Sequence, residues 1–247
     1  MALEVVKPRI CWGVKARGSR RLECGESVND PGGVIEEVMR LINEFLNRVE
    51  KHKSILLSDS ATPFDETIKA LSSWLQEIKS KIEENNDETI TNLRKAMHDI
   101  GEKMLRLAER AREKWLKTYK RELEELIEKL RKGEANVAVS GDPFDNSKSF
   151  AVHLYTENLT IEVARMAKSG STTIEIIFTG LKGTHIAVPK QFGENKLRAM
   201  QCGLLMTDGS INKKGYPEMN TNQIWQVVIW PIIWFRGGNL VYINGVS

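Results

Sequence analysis

The feature that most constrains this chain is a run of apolar residues spaced by three and four, continuing from Ile90 past Leu123. Ile90, Leu93, Met97, Ile100, Met104, Leu107 and Ala111 follow the heptad spacing of helices that pack along a seam. Arg131 and Lys132 suit a helix C-terminus, and Gly133 stops it. A helix from Asp87 to Lys132 would run roughly 70 Å. After Ala111 the seam changes phase and resumes as Leu116, Tyr119, Leu123, Leu126 and Leu130. Such a jump alters the local supercoil. The first half can pack on helices before it. The second half needs another surface: the C-terminal domain, a second copy of the chain, or its own domain across a bend.

Two shorter amphipathic segments precede it. Ile35, Val38, Ile42, Phe45 and Val49 mark one, and Ile68, Leu71, Leu75, Ile78 and Ile82 the other. Thr62-Pro63 with Asp65 reads as a helix start, and Asn85-Asn-Asp-Glu88 as a stop followed by a cap. Short links imply antiparallel neighbours. Residues 34–133 are therefore expected to form a helical coiled-coil domain. Residues 1–33 precede it as a basic arm or a short hairpin. Lys7, Arg9, Lys15, Arg17, Arg20 and Arg21 surround Trp12 there, and two strands, Val5–Val14 and Arg20–Glu26, fit the same residues.

From Glu134 the period becomes that of strands. Val137–Val139, Phe150–Tyr155, Thr172–Thr179 and His185–Val188 are β-branched and aromatic. Leu159–Lys168 reads as a short helix, with Leu159, Val163 and Met166 on one side. Residues 134–192 thus form an α+β unit. His153 and His185 fall on strands with no partner at metal-ligand spacing, and read as packing or surface histidines. The fold class expected is α+β: an antiparallel helical coiled-coil bundle with one long helix, followed by a small α+β domain.

Charge and cysteine content bound the function. The formal net charge is +3, too small alone to argue for nucleic acid. Cys11, Cys24 and Cys202 are an odd number without zinc spacing. They read as thiols of a reducing, cytoplasmic protein, with a Cys11–Cys24 disulfide as the alternative. The most apolar run, Ile224 to Phe235, holds 12 residues, short of the roughly 20 that span a bilayer, so no membrane is expected. No phosphate-binding loop, dinucleotide fingerprint or nucleophile elbow is present.

Two features point toward DNA. Arg106, Arg110, Lys114, Lys117 and Arg121 recur every three or four residues, making a basic stripe on the long helix. A wet helix face with internal ion pairs is the alternative. The second feature is the C-terminal stretch, residues 193–247. Its order is helix, hairpin, helix and strand: a helix ending at Asp208-Gly209, a hairpin turning at Lys213-Lys-Gly-Tyr216, a helix over Gln223–Phe235 and a strand over Asn239–Asn244. Gly209 is expected just past the helix end with a positive φ. The chain's end at Gly245-Val-Ser247 reads as a truncation.

Gln201-Cys-Gly-Leu-Leu-Met-Thr-Asp-Gly209 resembles the LAGLIDADG motif of homing endonucleases. Gly203, Leu204, Leu205, Asp208 and Gly209 match, while Gln201, Met206 and Thr207 depart from it. The resemblance implies two such helices packed at Cys202 and Gly203, with Asp208 from each holding Mg²⁺ between scissile phosphates. With one copy in the chain, this would need a dimer. The hairpin's Lys213, Lys214, Asn220, Asn222 and Gln223 would then lie in a DNA groove. Residues 199–210, with Gly215–Gln223 and Trp225–Val228, also resemble a multicopy repeat family of hyperthermophilic archaea associated with mobile elements.

Three functions follow as expectations. The first is an archaeal repeat or mobile-element protein that binds DNA through the stripe and the hairpin. The second is a structural coiled-coil protein without ligand, assembling as a homo-oligomer through the long helix. The third is a Mg²⁺-dependent endonuclease using Asp208.

Overall fold

A computed structural model describes residues 6–15, 21–30, 32–84, 87–178, 194–221 and 223–234. The expected strand at His185–Val188, the strand at Asn239–Asn244, and Asn222 lie outside the described residues. The molecule is mixed α+β, and its chain divides into two compact units, each built from two separate stretches. The first comprises residues 1–62 and 113–181, and the second 63–112 and 182–247.

The first unit is built on a six-stranded sheet. Its strands are β1 (Arg9–Lys15), β2 (Leu22–Ser27), β3 (Asn136–Gly141), β4 (Phe150–Tyr155), β5 (Leu159–Arg165) and β6 (Thr172–Phe178), in the order β2-β1-β3-β4-β5-β6. β1 runs parallel to β3, and the other neighbours are antiparallel. The N-terminal residues therefore enter the sheet as two strands. Cys11 and Cys24 are joined by a disulfide across β1 and β2, with Cα atoms 5.4 Å apart. This replaces the reading of all three cysteines as thiols; Cys202 alone is free. Register places Cys11 opposite Ser27 and Gly13 opposite Cys24, with an irregularity between them that brings the two sulfurs together.

Leu159–Lys168, expected as a helix, is strand β5. Leu159, Val163 and Met166 satisfy a helical period, but Leu159, Ile161 and Val163 satisfy an alternating one equally well. Sheet neighbours on both sides decide it: β5 pairs along its whole length with β4 and β6.

The unit's helices cover one sheet face. Helix α1 (Val34–Lys51) buries Val38, Leu41, Ile42 and Phe45 and packs against β4, β5 and β6. The expected coiled-coil bundle therefore loses its first member, because α1 spends its apolar stripe on a sheet rather than on a helical seam. Arg165 pairs with Glu37 of α1 at 3.1 Å, which fixes the side on which α1 lies. A short helix α2 (Lys53–Leu56) follows. The long helix is continuous over 45 residues as α4 (Glu88–Lys114), a π turn (Trp115–Tyr119) and α5 (Lys120–Lys132). The π turn stands where the seam changes phase, and its wider winding absorbs the shift. Trp115 and Tyr119 are buried there and meet Phe178 of β6 at 5.7 and 5.1 Å between ring centroids. Leu123, Leu126, Ile127 and Leu130 are buried as well. The second half of the seam thus packs inside the chain's own unit, which removes the apolar surface on which self-association through the long helix was expected. Gly133, with φ +71°, closes α5 by donating to Leu130 O at 3.2 Å.

The second unit is helical around Leu71, Ile100, Met104, Val228 and Ile232. Helix α3 (Asp65–Glu83) runs antiparallel to α4, as Arg112 on Asp65 (2.8 Å) and Arg94 on the Lys81 carbonyl show at opposite ends. Gly101 permits the close crossing, since a Cβ there would meet Trp74 at 2.7 Å and Leu75 at 2.9 Å. Asp87 caps α4, accepting N–H bonds from Thr89 and Ile90 at 2.8 and 3.1 Å. The remaining elements are α6 (Glu194–Thr207), β7 (Gly209–Ile211), β8 (Pro217–Met219) and α7 (Ile224–Trp234). Helix α7 buries Val228, Ile232 and Ile233, as an all-round apolar helix must. Among the described residues no helix is long and apolar enough to cross a membrane.

Candidate nucleic-acid interface

Helix α6 packs on α7 through Leu197, Met200 and Gln201, whose side-chain amide donates to Ile233 O at 2.9 Å. It buries none of its residues fully. Cys202 and Gly203 are exposed, and a Cβ on Gly203 would meet nothing within 4 Å. These two residues therefore make no close helix contact within the chain, contrary to the role their small size implied. Gly209 is also corrected. It opens β7 without a left-handed φ, and it is small because a Cβ would meet Trp230 and the Leu204 carbonyl at 3.1 Å each. Packing sets that residue, not backbone conformation.

Asp208 is exposed just beyond α6. Its Oδ2 accepts bonds from the Gln226 amide at 2.9 Å and the Thr207 hydroxyl at 3.3 Å. Gln226 in turn bonds the Thr221 hydroxyl. The carboxylate thus ties the end of α6 to α7. No cluster of three acidic, histidine or cysteine side chains stands among the described residues. One carboxylate with an oxygen already held by two donors does not fit a Mg²⁺ site, which takes one or two carboxylates with open positions for water and phosphate.

The hairpin beyond it is rigidly turned. Asn212 Oδ1 accepts the backbone N–H groups of Lys214 and Tyr216, each at 3.0 Å, and Asn212 N donates to Tyr216 O at 2.9 Å. This Asx-type arrangement fixes the loop without a partner element. Lys213, Lys214, Tyr216 and Asn220 project into solvent, and so does Gln223 at the start of α7.

The basic stripe is less uniform. Arg106 stands 3.6 Å from Glu102 and Arg121 stands 3.7 Å from Glu125, each one turn along the helix. Arg110 and Lys117 are exposed, and Lys114 is half-buried. Arg106 and Arg110 belong to the second unit, and Lys114, Lys117 and Arg121 to the first. The π turn lies among the last three, so their spacing no longer describes one face of a straight α-helix.

A polar cluster in the first unit escaped the sequence. Ser140 Oγ lies 2.8 Å from His153 Nε2, and His153 Nδ1 lies 3.7 Å from Glu162 Oε2. Burial pushes the His153 pKa below its ordinary 6.5 and the Glu162 pKa above its ordinary 4.5. Reading 159–168 as a helix had taken Glu162 out of the sheet, where it is the direct cross-strand partner of His153. The signal that could have found it was the alternation through Leu159, Ile161 and Val163. No family model, no curated protein and no solved structure matches the chain.

Proposed function

We propose that the helix–hairpin–helix of residues 194–234 binds duplex DNA by charge, without cutting it. The observation that carries this reading is the turn locked by Asn212, which presents two adjacent lysines outward at no further ordering cost. Lysine ammonium groups act on phosphates as point charges, and the exposed amides of Asn220 and Gln223 suit sugar, phosphate or base edges. The likeness of residues 199–228 to an archaeal repeat family of mobile elements supports the same reading. Arg110 and Lys117 are secondary, because Arg106 and Arg121 already face acids on their own helix. Cleavage is not part of the proposal, since Asp208 is spent on Gln226 and Thr207.

The test is binding to a random-sequence duplex, followed by fluorescence anisotropy between about 50 and 200 mM salt, the range over which phosphate contacts show. Each lost phosphate contact removes about 0.9 from the slope of log K against log salt. Lys213→Glu with Lys214→Glu is expected to lower that slope by about 2. An unchanged slope in the double variant rejects the hairpin as the contact.

A further inference from the structure

We propose that Ser140, His153 and Glu162 form a nucleophile, base and acid that hydrolyse small carboxylic esters on the face of the sheet opposite α1. This is independent of the DNA reading and lies in the other unit.

The three residues come from three successive strands, β3, β4 and β5, so backbone pairing rather than a mobile loop sets their geometry. The imidazole is addressed at both nitrogens in the sense this chemistry needs. Nε2 meets the hydroxyl at 2.8 Å and Nδ1 meets the carboxylate at 3.7 Å. With the proton on Nδ1 facing Glu162, Nε2 presents its lone pair to the Ser140 hydroxyl. Burial of the ring keeps it neutral, so that lone pair is free at neutral pH.

The face also leaves room. Arg165, Leu159 and Phe178 lie on the side of the sheet that meets α1 and the π turn. His153, Glu162 and Ala164 alternate with them and point the other way. The cross-strand neighbour of His153 on β3 is Ala138, that of Ser140 on β4 is Ala151, and that of Ala151 on β5 is Ala164. Three alanines around the hydroxyl leave a hollow where bulkier strand residues would fill it. The side chain of Glu162 is 39% exposed and that of His153 is 10% exposed, so the cluster reaches solvent at one edge.

The steps balance with ester and water as the only reactants. The Ser140 Oγ–H proton passes to His153 Nε2 as Oγ bonds to the ester carbonyl carbon. The bond from that carbon to the alcohol oxygen breaks, and the alcohol leaves with the proton from Nε2. Water then attacks the acyl-serine, giving a proton to Nε2. The Ser140 Oγ–carbonyl bond breaks, the acid departs, and Oγ regains the proton. Glu162 touches no reacting atom; it is a positioning residue that holds the tautomer and faces the imidazolium.

The full chain treated with a biotinylated alkyl fluorophosphonate is expected to take one covalent adduct, mapped to Ser140 by peptide mass. His153→Gln should slow its formation about 100-fold or more, the usual worth of a general base. Glu162→Gln should move the pH at which labelling is lost toward acid, because an anion facing the imidazolium is removed. The other groups near the ring are Tyr155, stacked at 6.5 Å with Arg21 over its far neighbourhood, and Glu175 opposite Glu162 on β6. If His153→Gln does not fold, the wild-type labelling rate must still fall as pH drops through the imidazole range. No adduct on Ser140 in the folded wild-type chain, or labelling at an undiminished rate in folded His153→Gln, overturns the proposal. So does a wild-type rate indifferent to pH.

Discussion

Glu122 of α5 is buried and bound on both oxygens. The Thr156 hydroxyl and the Asn158 backbone N–H, at 2.8 Å, reach one, and the Asn158 amide reaches the other at 2.6 Å. Burial alone would raise its pKa. The bonds from the Asn158 side chain, the Thr156 hydroxyl and the Asn158 backbone outweigh that and hold it below its ordinary 4.5. A carboxyl lowered on folding stabilises the protein above its unfolded pKa, and the contribution is lost as pH falls through the folded value. His153 acts in a different window. Its pKa is depressed below 6.5 by burial, so stability falls as pH drops from about the unfolded value toward the folded one. Glu162, raised above 4.5, works in the opposite sense, since stability falls as pH rises through its window. Denaturant titrations over acid pH should therefore separate the three. Glu122→Gln should cost about 1.5–3 kcal/mol at neutral pH, the worth of hydrogen bonds to a charged group, and flatten the profile below 4.5. His153→Gln should flatten it just below 6.5. A Glu122→Gln variant as stable as the wild type at pH 7 would show that the three donors are satisfied without the charge.

At the scale of elements, the π turn carries the most consequence. Trp115 and Tyr119 are four apart and both buried, and the seam then continues through Leu123, Leu126, Ile127 and Leu130. Deleting the exposed Lys117 would convert the turn to ordinary helical winding and rotate everything after it by about 100°, one residue's turn of helix. Four buried aliphatic side chains would leave their sites, each worth roughly 1.5–3 kcal/mol. The deletion is expected to abolish the near-ultraviolet dichroism of the buried Trp115, whereas Lys117→Ala should stay within about 0.5 kcal/mol of the wild type. A deletion variant that melts like its parent would mean that the turn is an incidental winding. The phase break was legible because Ala111 and Leu116 cannot share a seam with their neighbours. Its form was not, since a bend, a stutter or a π turn shifts the same residues. β5 shows the same limit from another side. Its apolar positions fit two periods, and only pairing with β4 and β6, remote in sequence logic, selects one. The hairpin turn of 212–216 was readable because Asn212 and Gly215 act locally.

For the whole molecule, periodicity tells which residues are buried but not against what. The three helical stripes were each legible, yet α1 went to a sheet and α3 to α4 and α7. Both compact units are discontinuous for that reason, and a boundary near residue 133 has no counterpart in them. The parallel pairing of β1 with β3 joins residues 9–12 to 136–139 and makes the amino-terminal strands part of the first unit's sheet. The Cys11–Cys24 bridge then matters to that unit specifically. It closes a loop with a sequence separation of 13 between the outermost strand and its neighbour. A crosslink of that length stabilises by about 3 kcal/mol through the unfolded chain it restrains. Reduction, or Cys11→Ser with Cys24→Ser, is therefore expected to lower the stability of the first unit by about that amount. Amide exchange reads it locally: β1, β3 and β4 should open at a correspondingly lower free energy, as cooperative segments do. Unchanged exchange in β1 and β3 after full reduction would mean that parallel pairing alone holds the edge, and that the bridge contributes nothing to the sheet it crosses.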